Sequence, residues 1–144
     1  MTSEIAPRIL VIDDEHFIRD LLNDFFTKCD YSVVSAHDGK SGIAQSRNGR
    51  FDAALVDLKM PEQNGTDVLA ELRLIDPGLP VIIMTGYPTV DVSIEALRRG
   101  AHDFIVKPFR LQDLKERLDR AIRSRSVSRD IEELRSRMAA MNSS

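Results

Sequence analysis

Short apolar runs recur along the chain, and each is too brief to be a helix. Residues 8–12 (Arg-Ile-Leu-Val-Ile) are nearly unbroken and rich in β-branched side chains, as a parallel strand covered on both faces reads. The pattern returns at 53–56 and 81–84, with shorter versions at 32–35 and 103–106. Five strands are predicted. Between them the apolar spacing becomes helical: Phe17, Leu21, Leu22 and Phe25 mark a first helix, Val68, Leu69, Leu72 and Ile75 a third, and Val90, Ile94 and Leu97 a fourth. A second helix falls around Ile43 and Ala44. Asp38 and Asn64 occupy N-cap positions, where a side-chain oxygen can accept from first-turn amides, and Gly100 stands where a helix would stop.

Alternation of strand and helix over roughly a hundred residues implies crossover connections and a sheet with helices on both faces. The expected class is α/β: a doubly wound, five-stranded parallel sheet of flavodoxin-like strand order 2-1-3-4-5. A fifth helix uses Leu111, Leu114, Leu118 and Ile122, after which the phase breaks. The next apolar residues are Val127, Ile131, Leu134, Met138 and Met141, at the four-three spacing of a coiled-coil seam. Residues 124–128 (Ser-Arg-Ser-Val-Ser) would be the joint, dividing the chain into a domain at 7–123 and a helical tail at 124–144. So short a seam fits a dimerising helix and a tail packed on its own domain equally well.

Composition narrows the function. A chain of 144 residues suits one domain, and 42% hydrophobic with 30% charged residues excludes a disordered or fibrous chain. A formal charge of -3 and a pI near 5.6 argue against direct nucleic-acid binding. Cys29 is the only cysteine, which excludes an internal disulfide or a multi-cysteine metal site. No leader pattern and no membrane-length apolar run is visible, so a cytoplasmic protein is expected.

Ligands of such sheets gather at the carboxyl ends of the strands. The first strand here ends in Asp13-Asp14, the third in Asp57, the fourth in Thr85 and the fifth in Lys107-Pro108. In the order 2-1-3-4-5 these four strands are consecutive neighbours, each roughly 4.8 Å from the next, so their side chains converge. One acid at a strand end is usually a cap or a solvated loop residue; the conjunction at four ends is what points to a site. Three neighbouring carboxylates repel, and a divalent cation relieves the conflict. Oxygen-only ligation suits Mg²⁺ better than zinc, and His16, His37 and His102 occupy no ligand spacing. A carboxylate nucleophile, Mg²⁺, the Lys107 ammonium and the Thr85 hydroxyl are the parts of phosphoryl transfer.

With Asp13-Asp14-Glu15, Val56-Asp57-Leu58-Lys59-Met60-Pro61 followed by Gly65, Thr85-Gly86 and Lys107-Pro108-Phe109 in this order, the sequence resembles the receiver domain of two-component response regulators over residues 7–123. The resemblance implies that Asp57 is the phosphoacceptor. It implies that Asp14 and Asp57 ligate Mg²⁺ directly with the Lys59 backbone carbonyl, and that Asp13 acts through water. Thr85 and Lys107 would grip the phosphoryl oxygens, Thr85 and Phe104 would form the switch, and Lys107-Pro108 would be cis. The implied donor is a histidine kinase or phosphotransfer protein, and the implied output is a partner- or dimer-binding surface, with the tail as a route to a homodimer. Met84-Thr85-Gly86-Tyr87 and Gly100-Ala101-His102-Asp103-Phe104 are most similar to receivers of enhancer-binding transcription activators.

Two other functions compete. An aspartyl-phosphate phosphatase usually carries a general acid two residues after the nucleophile, and Lys59 cannot supply that proton transfer, so an enzyme is not expected beyond assistance to the domain's own phosphorylation and dephosphorylation. A flavin-binding protein would need a phosphate loop after the first strand, where this chain has acids. The chain carries no helix-turn-helix or Walker-type loop, which fits both a single-domain regulator and a receiver from a longer protein.

Overall fold

The computed structural model describes residues 6–142. The elements alternate as β1 (Arg8–Ile12), α1 (His16–Lys28), β2 (Ser32–Ala36), α2 (Gly39–Asn48), β3 (Ala53–Asp57), α3 (Gly65–Ile75), β4 (Val81–Thr85), α4 (Val90–Arg98), β5 (Asp103–Val106) and α5 (Leu111–Asn142). The sheet is parallel throughout, in the order β2-β1-β3-β4-β5. The doubly wound architecture expected from the strand and helix spacing is therefore the one observed.

Its central strands are apolar on both faces because each face has its own helical cover. Leu10, Ile12, Ala54, Val56, Val81 and Ile83 pack with Ile43 of α2, Val68, Leu69 and Leu72 of α3 and Ala96 of α4. The alternate residues Ile9, Val11, Ala53, Leu55, Ile82, Met84 and Ile105 pack with Leu22 and Phe26 of α1 and Leu114 and Leu118 of α5. Side chains that alternate along a strand thus separate into two cores. The helix boundaries follow from local chemistry. Asp38 Oδ1 accepts from Ser41 N at 2.8 Å, Asn64 Oδ1 accepts from Thr66 N at 3.0 Å, and Gly100 ends α4 with φ +98°, a conformation that favours glycine.

Two helices differ from their expected faces, and a third from its expected end. In α1 the buried row is Ile18, Leu22 and Phe26, four residues apart, and Phe17 is exposed. Ala96, with Val92 partly, carries the contact of α4 to the sheet, while Val90, Ile94 and Leu97 face outward. The small Ala96 lets the backbone of α4 approach, so its larger residues are turned away from the core. The fifth helix continues unbroken through 124–128, contrary to the expected joint. No glycine or proline interrupts it there, and Arg125 fastens it to the domain: Nη2 lies 2.7 Å from Asp76 Oδ2 and Nη1 donates to the Phe51 carbonyl at 3.2 Å. Residues 126–142 are all exposed, so the tail does not fold back on its own domain.

Candidate functional site

The pleat decides which strand-end groups meet. Asp13, Asp57 and Lys107 continue the alternation of Val11, Leu55 and Ile105, which face α1 and α5. Thr85 continues Ile83, which faces α3 and α4. Asp57 is the last residue of β3 and Thr85 the last of β4.

Carboxylate oxygens of Asp13, Asp14 and Asp57 lie within 4.8 Å of one another. Asp13 and Asp57 are buried, and Asp14 is exposed at the mouth. Lys107 reaches across from the far side, its Nζ 2.9 Å from Asp13 Oδ2 and 3.3 Å from Asp57 Oδ1. The Lys107-Pro108 bond is cis. Burial first, and then the charge of Asp13, raises the Asp57 carboxyl from 3.8 to about 7; Lys107 opposes the rise and a hydrogen bond with Asp14 adds to it. Burial pulls the Lys107 ammonium down, but the hydrogen bond and charge of Asp13, with a smaller contribution from Asp57, outweigh it and leave its pKa above the ordinary value.

Backbone contacts brace these groups. Asp13 Oδ1 accepts from Glu15 N at 2.9 Å, and Arg19 Nη1 donates to the Asp13 carbonyl at 2.8 Å. Arg19 was not singled out by the sequence, since its spacing from Asp13 carries no signal until α1 folds over the end of β1. The loop after Asp57 closes by a Lys59–Asn64 bridge and a Gly65 N to Leu58 O hydrogen bond of 2.8 Å. A Cβ at Gly65 would stand 2.4 Å from the Asp57 carbonyl oxygen and 2.6 Å from Leu58 Cα, which is why glycine is required there. Over the site, Lys59 Nζ lies 4.6 Å from the centre of the Tyr87 ring, a cation–π contact. Beside it opens a hollow of about 630 Å³ lined by Asp14, Lys40, Met60 and Gln63 among others.

The sequence-derived residues therefore divide. Asp13, Asp14, Asp57 and Lys107 come together. Thr85 is buried next door, but its hydroxyl oxygen accepts from Tyr87 N at 3.1 Å. Phe104, paired in register with Ile83, is half-buried against the core under α3 and α4.

A parallel sheet of this order, with buried acids and a lysine at its carboxyl edge, is a flavodoxin-like α/β domain with an acidic pocket able to hold a metal. The family model for the response regulator receiver domain matches residues 9–119, and the chain belongs to that family. Among its relatives, the chemotaxis protein CheY of Thermotoga maritima is 36% identical over 117 residues, covering 81% of this chain and 98% of that one. The regulatory protein AtoC of Escherichia coli is 35% identical over 127 residues, covering 88% of this chain but 28% of its own length. The transcriptional regulatory protein ZraR of Salmonella typhimurium is likewise 35% identical, with 26% of its length covered. The chain thus spans about a quarter of the length of these longer regulators, the kind of protein that the phrases around Thr85 and Phe104 pointed to. Among solved structures, a CheY-like receiver from Methanospirillum hungatei superposes with a TM-score of 0.83 at 31% identity over 85% of this chain and 98% of that one. NtrX from Brucella abortus superposes at 0.85 and 31% over 92% of this chain and 31% of its own.

Proposed function

We propose that this receiver domain accepts a phosphoryl group on Asp57 from a histidine kinase or phosphotransfer protein, and that the modification switches a surface read by a partner or a second copy. The observation carrying the reading is the buried Asp57 carboxylate at the end of β3, grouped with Asp13 and Asp14 and faced by Lys107. In the transfer, an Asp57 oxygen attacks phosphorus, the bond from phosphorus to the donor imidazole breaks, and an aspartyl phosphate forms. Only the ionised carboxylate attacks, so a pKa near 7 leaves a substantial protonated fraction at neutral pH.

The donor set fits Mg²⁺: oxygens only, clustered on a scale that small side-chain rotations bring to the roughly 2.1 Å bond length of that ion. Asp14 and Asp57 would hold it directly with the Lys59 carbonyl, and Asp13 through water. Bound Mg²⁺ would hold Asp57 ionised and neutralise charge on the phosphoryl oxygens. Lys107, already between Asp13 and Asp57, is positioned to donate to the incoming anion. Thr85 can rotate its hydroxyl from Tyr87 N toward the phosphoryl group, and Phe104 on the neighbouring strand can fill the space left beside α4. A swing from mostly inactive to mostly active needs roughly 5 kcal/mol of differential stabilisation, on the scale of several charge-assisted hydrogen bonds.

On this reading residues 7–123 are the receiver and 124–144 its helical outlet. The domain is a switch, with catalysis confined to its own phosphorylation and dephosphorylation because Lys59 occupies the place of a phosphatase's general acid. It works in the cytoplasm and makes no direct contact with nucleic acid through these residues; no helix of the described residues is long and apolar enough to cross a membrane. Asp57→Asn should abolish acid-labile labelling from acetyl phosphate while preserving the fold. Undiminished, acid-stable labelling of that variant would overturn the assignment.

A further inference from the structure

We infer that Asn48 and Gly49 form a self-modifying site: in the folded chain the Gly49 backbone nitrogen closes on the Asn48 side chain, ammonia leaves, and water, the sole co-reactant, opens the ring to a carboxylate. The site lies before the amino end of β3, at the far edge of the sheet from Asp57, and does not depend on the acceptor reading.

Two asparagines of the chain, Asn48 and Asn64, precede a glycine. Glycine has no Cβ to obstruct an approach to its own nitrogen, so both pairs meet the covalent requirement. The fold treats them differently. Asn64 Oδ1 accepts from Thr66 N and from Thr66 Oγ1, each at 3.0 Å, and Gly65 N donates to the Leu58 carbonyl at 2.8 Å. There the attacking nitrogen and the side chain it would attack are both held, with Gly65 buried against the Asp57 carbonyl.

At Asn48 neither partner is held. Its side chain is exposed and has no hydrogen bond among the described residues. Asn48 is the last residue of α2, and Gly49 follows it in an extended conformation, at φ -154° and ψ 172°. The cap amides of the neighbouring helices are engaged: Cys29 N donates to Phe25 O at 3.2 Å, Asp76 N to Leu72 O at 2.9 Å and Arg99 N to Glu95 O at 3.0 Å. Gly49 N–H has no such bond among the described residues. Closure therefore requires only fraying of a terminal turn, the part of a helix that opens at least cost. Charge favours the same step. Arg47 and Arg50 flank the pair in sequence, and Arg8 reaches it from β1, its Nη1 2.8 Å from where a Cβ at Gly49 would stand. Cations beside the peptide nitrogen stabilise the negative charge that develops as it loses its proton.

The steps balance without oxidant or metal. Gly49 N gives its proton to solvent and bonds to Asn48 Cγ; the Cγ–Nδ2 bond breaks, and the nitrogen leaves with a proton as ammonia. Water then adds to one carbonyl of the resulting succinimide. Breaking the ring bond at Cγ gives aspartate, and breaking it at the main-chain carbonyl gives isoaspartate.

The test is incubation of the 144-residue chain at neutral pH, folded and in parallel in concentrated urea, followed by peptide mapping that separates the asparaginyl, aspartyl and isoaspartyl forms. Position 48 should convert in the folded chain, with isoaspartate among the products, while position 64 stays an amide. In urea both should convert. Isoelectric focusing should show a more acidic species, its formal charge lower by one than the -3 of the parent. A methyl group at position 49 meets only the end of the flexible Arg8 side chain, so Gly49→Ala should fold as the parent does and slow the conversion several-fold by crowding the nitrogen. An Asn48 that survives in the folded chain, whatever it does in urea, would overturn the inference. So would equal conversion at 48 and 64 in the folded chain, or parent-like conversion in Gly49→Ala.

Discussion

Removing the Asp57 carboxylate should stabilise the protein, and by an amount that depends on pH. In the folded chain burial and Asp13 raise the carboxyl from 3.8 to about 7. Between those values the native state holds a proton that the unfolded chain has released, so stability declines as pH rises through the window. The full displacement corresponds to about 4 kcal/mol, reached above pH 7, and the slope within the window is about 1.4 kcal/mol per pH unit. Asp57→Asn lacks this contribution and keeps the geometry, since Lys107 retains Asp13 at 2.9 Å. Urea unfolding in EDTA should therefore show the advantage of the variant over the parent growing by about 2 kcal/mol from pH 5.5 to pH 7 and levelling off above that. Repeated in Mg²⁺, the pH dependence of the parent should flatten, because a divalent charge holds Asp57 ionised, and the variant should change little. Parallel stability profiles for the two proteins in EDTA would refute the reasoning, for they would mean that ionising Asp57 costs nothing in the fold.

Other consequences follow from neighbouring residues. In calorimetric titrations Asp14→Asn should weaken Mg²⁺ binding more than Asp13→Asn, because Asp14 stands at the mouth whereas Asp13 is already engaged by Lys107 and Glu15 N; the opposite order would contradict the ligand assignment. Thr85→Ala should still take up phosphate, more slowly, but lose the change in the NMR signals of the Phe104 ring; a parent-like change in the phosphorylated variant would remove Thr85 from the coupling. Gly65→Ala drives a methyl into the backbone at Asp57 and Leu58, and should cost about 3 kcal/mol in urea unfolding. An unaltered midpoint would show that this loop can yield.

Periodicity and residue chemistry alone carried the five strands, the caps at Asp38 and Asn64, the stop at Gly100 and the gathering of Asp13, Asp14, Asp57 and Lys107 at one edge. These are legible because they depend on nearest neighbours: a β-branched run has only one way to be covered on both faces, and strand order then brings the strand ends together. What depends on approach distances and facing had to wait for the tertiary structure. The outward turn of Val90, Ile94 and Leu97 follows from how closely α4 lies on the sheet at Ala96, and no helical period encodes that. Thr85 is a strand-end hydroxyl like any other until the pleat turns it from the acids toward Tyr87 N. The unbroken α5 likewise depends on Arg125 meeting Asp76 and Phe51, residues 49 and 74 positions away. In the sequence 124–128 is only a serine-rich stretch; in the fold its arginine is fastened to two loops, and the helix carries its apolar stripe past the edge of the domain.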